Sequence, residues 1–134
     1  MDEALQILRD ARVILAEADL CKGELARRAN GVGCSPTDPR AVSYCALGAV
    51  YAAAGFNRHD PERGKAPRAL NDALDDLGAV CGGTQYWVPV YNNRWWRTKR
   101  GVLRKFDQAI AYREAEQIPQ IQLVESKVDE RSPA

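Results

Sequence analysis

Four cysteines, Cys21, Cys34, Cys45 and Cys81, and one histidine, His59, are the side chains of this chain best suited to covalent or metal chemistry. A nucleophilic thiol needs a depressed pKa and a nearby base. Cys45 instead sits in a long apolar run, where a free cysteine behaves as a small hydrophobe, and His59 falls in the polar turn Asn57-Arg58-His59-Asp60-Pro61. A zinc site usually needs close ligand pairs, but the cysteines are separated by 13, 11 and 36 residues with no C-x-x-C. No metal, no cofactor and no disulfide is expected. With no secretory signal ahead of the even cysteine count, a reduced, cytoplasmic chain is expected.

A second kind of chemistry is concentrated between Asn92 and Lys105. Arg94, Arg97, Lys99, Arg100, Arg104 and Lys105 share this stretch with Trp95 and Trp96, and no acidic residue interrupts them. Guanidinium groups fork onto phosphates and carboxylates, while indole offers a large rigid face to a nucleobase or a protein hot spot. Because the formal net charge is only +1, attraction to an anionic partner must come from such local segregation. The candidate binding residues are therefore Arg94, Trp95, Trp96, Arg97, Lys99, Arg100 and Arg104. Adjacent tryptophans at a helix start diverge by about 100°, so one of the pair is expected at the surface. The plainer alternative is a solvated face of Arg97, Arg100 and Arg104, balanced by Asp72, Asp75 and Asp76. Asn92-Asn93 fits a turn or a cap of the last helix.

These residues must be positioned by helices. At 134 residues the chain suits one core, expected over residues 1–118, with 119–134 as a polar, partly disordered tail. Residues 3–19 place Ala4, Ile7, Leu8, Ala11, Ile14, Leu15 and Ala18 on one helical face. Ala29-Asn30-Gly31-Val32-Gly33 has hairpin-turn chemistry. Asp38 and Pro39 read as the N-cap and first residue of a helix over 39–54, apolar almost all round and so expected at the buried centre. Gly48 within it would be offset by another element approaching the backbone, and Gly55 suits a C-terminal cap. A third helix is expected over 67–77 with Gly78 as its stop. Residues 85–91 are β-prone but carry Pro89, which points to an edge strand or extended segment. The last helix is expected over about 98–116, N-capped by Thr98, with Val102, Phe106, Ala109 and Ile110 inward and Arg97, Arg100 and Arg104 opposite. The fold class is thus mainly α: about four helices around a buried central one. No apolar run is long enough to span a membrane.

Ala41-Val42-Ser43-Tyr44-Cys45-Ala46-Leu47-Gly48-Ala49, followed by Tyr91-Asn92-Asn93, Thr98, Val102-Leu103 and Phe106-Asp107-x-Ala109-Ile110, resembles a family of short helical proteins common in bacteriophage and actinobacterial genomes. That family carries an A-x-x-(aromatic)-C-x-x-G-A helix and a later Trp-Asn-Asp element, and the likeness spans roughly residues 4–112. Here Asn93 stands where the family tends to have Asp, and Lys99 and Arg100 stand where acidic residues are usual. The resemblance implies a small phage or mobile-element accessory protein. Joined to the basic segment, it leads to an expected non-catalytic role in binding nucleic acid or a protein complex that handles it, such as inhibition of a host-defence complex. The alternatives are a cysteine-dependent enzyme using Cys45 with Asn92 and Asn93, and a homodimer packed through the basic segment.

Overall fold

The computed structural model describes residues 2–57, 67–94 and 96–131, with side chains described as far as Glu116; His59 and Trp95 lie outside the described residues. Helix α1 (Glu3–Glu17) begins where the Asp2 carboxylate accepts a hydrogen bond from the Leu5 amide at 3.1 Å. Its 3.6-residue stripe of Ala4, Leu5, Leu8, Ala11 and Leu15 is buried. The opposite face is charged, and Arg12 and Arg9 reach across to Asp107 and Glu114 near the other end of the chain.

A small mixed sheet follows, made of β1 (Asp19–Leu20), β2 (Ala26–Arg28), β3 (Gly33–Cys34) and β4 (Ala41–Tyr44) in the order β1-β4-β2-β3. β1 runs parallel to β4, while β2 is antiparallel to both β4 and β3. The β2–β3 hairpin turns where the sequence places it: Gly31 has φ of 85°, and the Val32 amide bonds to the Asn30 side chain. The expected helix over 39–54 is corrected. Its first part is the central strand β4, and only Ala46–Ala54 is helical, as α2. Asp38 caps no helix. It folds the preceding turn by accepting from the Arg40 amide and from the guanidinium groups of Arg28 and Arg40, which hold its carboxyl down to about 2. An apolar run of small and β-branched residues has no period to separate strand from helix, and pairing on both edges of β4 decided the matter.

The N-cap of α2 is Cys45, whose sulfur accepts a hydrogen bond from the Gly48 amide at 3.2 Å. Gly48 is where another element approaches: a Cβ there would stand 1.8 Å from the Leu25 carbonyl oxygen. Gly55 caps the far end with φ of 65°. The third helix, α3 (Arg68–Cys81), continues past its expected stop, because Gly78 is not a cap but a flat spot on which Thr84 lies. The expected extended segment at 85–91 is instead helix α4 (Trp87–Asn93). Pro89 falls in its first turn, where the missing N–H has no intrahelical partner to lose. The last helix, α5, runs Lys99–Arg131, through Pro119 and beyond the expected end at 116. Among the described residues the fold is therefore five helices and a four-stranded mixed sheet, mainly helical around one core.

That core joins Leu8 and Leu15 of α1, Ala49 and Val50 of α2, Leu70, Leu74 and Leu77 of α3, Val88 of α4, and Val102 and Phe106 of α5. Arg113 closes one end by bridging Asp2 at 2.9 Å and Asp76 at 2.8 Å, so that a single guanidinium ties α5 to the start of α1 and to α3. The tight approach at Gly48 gives a direct test. Gly48→Ala gains helix propensity, yet it must drive α2 from the Leu25 carbonyl, and overpacking of this kind costs about 1–3 kcal/mol. Urea unfolding of Gly48→Ala should show a lowered midpoint, with a cost near the top of that range; an unchanged midpoint would mean that the two backbones do not touch.

Candidate functional site

The candidate residues divide over two neighbouring regions, a buried amide junction and the basic face beside it. The junction centres on Asn92 in the last turn of α4, which is 0% exposed. Its Oδ1 accepts from the Ala46 amide at the start of α2 at 2.9 Å, and its Nδ2 donates to the Cys21 carbonyl at 3.0 Å and to Asn93 Oδ1 at 3.2 Å. Asn93 Oδ1 also accepts from the Gly23 amide at 3.1 Å. The pair therefore caps α2 and fastens the end of β1 to α4, and the expected cap of the last helix is made by Thr98, whose Oγ1 accepts from the Gly101 amide.

Cys45 lies beside this junction and is 4% exposed. Burial pushes its thiol up to about 11, against the opposing pull of the Gly48 amide. Cys21 and Cys34 are also pushed up by burial, as is Cys81, to about 11, and all four cysteines are free. A cavity of about 590 Å³ opens between the hairpin, the start of α2 and α4, lined by Glu24, Cys34, Ser35, Cys45, Asn57 and Asn93 among others. No histidine lies among the described residues to serve Cys34 or Cys45 as a base there. Asn92, the amide named with Cys45 in the enzyme reading, is fully engaged in holding backbone. No group of three or more histidine, cysteine, aspartate or glutamate side chains suited to a metal occurs among the described residues.

The basic segment is held by cations that turn inward. Lys22 Nζ donates to the carbonyls of Arg94 and Arg97, and Lys99 Nζ donates to the Ala18 carbonyl at 2.6 Å. Arg97 does not share a helical face with Arg100 and Arg104, as the spacing implied. It precedes α5 and lies over Tyr91, 3.9 Å from the ring centroid, with its Nε buried. Arg94, Arg100 and Arg104 are exposed, and Trp96 is 50% exposed, with Arg94 at 5.4 Å and Arg97 at 5.9 Å from its ring. The balancing carboxylates are engaged elsewhere: Asp72 with Arg68, Asp75 with Gln85 and Asp76 with Arg113. Lys105 joins the segment through the buried Tyr91, 5.4 Å from its ring, and α4, which carries Tyr91, begins at the exposed Tyr86 and Trp87. Spacing in the linear sequence gave no sign of it, because the segment 85–91 read as extended.

The fold and its surface define a small helix-rich domain with no membrane-spanning helix among the described residues and one strongly cationic, aromatic face. Residues 1–112 match a family described as a family of unknown function, DUF6197, and the chain belongs to that family. No curated protein and no solved structure matches it.

Three outcomes test the junction and the cysteine beside it. Asn92→Ala strands the Ala46 amide and the Cys21 carbonyl, at about 1–3 kcal/mol for each buried group. A destabilisation of about 2–6 kcal/mol in chemical denaturation is expected. Asn92→Asp keeps the acceptor but sets a buried carboxyl against the Cys21 carbonyl, which raises its folded pKa; the loss of stability relative to the parent should be smallest below about pH 4 and grow as pH rises. Alkylation of the native protein near neutral pH, followed by mass spectrometry, should leave Cys45 unmodified long after all four thiols react in denaturant. Rapid native labelling of Cys45 would restore it as a nucleophile.

Proposed function

We propose that this protein is a non-catalytic binding module that engages nucleic acid through the face carrying Arg94, Trp96, Arg97, Arg100 and Arg104. The observation that carries this reading is the absence of any ion pair on Arg94, Arg100 or Arg104 among the described residues, while Asp72, Asp75 and Asp76 are drawn to other partners. A cluster of like charge left without carboxylates repels itself and lowers its energy when an anion arrives. Lys99 and Arg97 serve the site by fixing the loop between α4 and α5, so that the outward cations meet a ligand from a set position. Trp95, expected in the same surface, lies outside the described residues. The setting that fits is an accessory protein of phage or mobile elements, acting on nucleic acid either free or held in a host complex, a host-defence complex included.

Salt dependence tests this reading. Removing one phosphate-binding cation should reduce the slope of log K against log salt by about 0.7 for single strands and 0.9 for duplex. Arg100→Ala with Arg104→Ala, two exposed positions on one face of α5, should therefore weaken binding and flatten the slope by about 1.4 to 1.8 without lowering the melting temperature. Unchanged affinity and slope would remove this face from the function.

A further inference from the structure

The aromatic residues of α4 give the basic face a second component. Trp87 and Tyr91 are one helical turn apart, about 6 Å along the axis. Tyr91 lies beneath the Arg97 guanidinium at 3.9 Å, with the Lys105 ammonium 5.4 Å from the same ring, and Arg97 leads on to Trp96 at 5.9 Å. Two rings, Trp87 and Tyr91, thus lead to a stretch where cation and ring interleave: Arg97 between Tyr91 and Trp96, and Arg94 beyond Trp96. The rings at the ends reach solvent: Trp96 is 50% exposed, Trp87 38% and Tyr86 71%, with Tyr86 set edge-on to Trp87. Gly82, just after α3, supports this end, because a Cβ there would stand 2.6 Å from the Trp87 indole.

We infer that this face takes single-stranded nucleic acid, with Tyr86, Trp87 and Trp96 as stacking platforms and Arg94, Arg100, Arg104 and Lys105 tracking the phosphates. The inference rests on the reading of the cationic face given above and adds the strandedness of the ligand. Exposed rings beside cations that have no carboxylate partner among the described residues suit bases that are free to unstack, since every base offers a π-face and each phosphate a charge. A duplex hides its base faces and would use the cations alone. A protein partner of acidic character would use the same cations but would not require exposed rings at both ends of the ladder.

Binding by the full-length chain is measured for a labelled oligothymidylate of about 15 nucleotides, a mixed-sequence duplex of equal length, and heparin as a polyanion without bases. The expected result is preference for the single strand, with quenching of tryptophan fluorescence. Trp87→Ala, Trp96→Ala and Tyr86→Ala should each weaken oligothymidylate binding about tenfold at an unchanged salt slope, because stacking is removed while every phosphate-binding cation stays. Tyr86 is the most exposed of the three and carries the test should Trp87→Ala disturb the fold. Equal binding of duplex or heparin, or aromatic variants that bind as the parent does while the Arg100 and Arg104 changes still flatten the slope, would overturn the single-strand assignment and leave the cationic face standing. Failure of all three probes to bind at low salt would overturn both, as would a protein partner bound through Trp96 with no nucleic acid bound.

Discussion

The Asn92 side chain is the constraint on which the arrangement depends. Three elements that bury apolar surface on different sides meet at one point: the β1 end brings the Cys21 carbonyl, the α2 start brings the Ala46 amide, and α4 brings the side-chain amide that joins them. Without a partner, the Ala46 amide and the Cys21 carbonyl would be buried polar groups costing about 1–3 kcal/mol each. One primary amide has one strong acceptor and two donors, and all are used. The same bonds fix the exit direction of α4 and hence the loop that carries the basic residues into α5. The fold and the candidate surface are mechanically joined at a fully buried residue.

Cys45 shows how proximity to a cavity differs from reactivity. It stands at a helix N-terminus, a place that often lowers a thiol pKa. Here burial dominates, and its sulfur spends its hydrogen-bonding capacity on the first turn of α2. The sulfur does the work that serine or aspartate does at other N-caps, at a position where burial would penalise a charged or more polar side chain. This also accounts for Gly48 three residues on: its amide bonds to the sulfur and its missing side chain admits the Leu25 carbonyl.

Periodic segments were legible in the sequence, and segments decided by tertiary pairing were not. α1 and α5 have a stripe of core residues every three to four positions, and the structure keeps both stripes. Residues 39–45 and 85–91 carry no such period. The first became a strand because β1 and β2 flank it, and the second a helix because a first-turn proline is harmless. The candidate surface was legible as composition, since charge and tryptophan cluster in the chain itself. Which of its cations point outward was not, because Lys22, Ala18 and Tyr91, all distant in sequence or on another element, decide that for Arg97 and Lys99. Asn92 was read as a turn residue for the same reason: its partners lie 46 and 71 residues away.

A positive cluster this dense needs compensation within the fold itself. In this fold the inner cations find it in dipoles and rings instead of carboxylates: Lys22 and Lys99 on backbone carbonyls, and Arg97 on the face of Tyr91. Such neutral partners stabilise a cation without cancelling its charge. The field of the segment therefore survives folding, whereas ion pairs would have quenched it. The acidic residues nearby are consumed where they tie helices together, Asp76 under Arg113 and Asp107 against Arg12. The fold thus sorts its nearly balanced charges by use: opposite charges meet where elements must be joined, and cations meet carbonyls and aromatic faces where the surface is to stay positive.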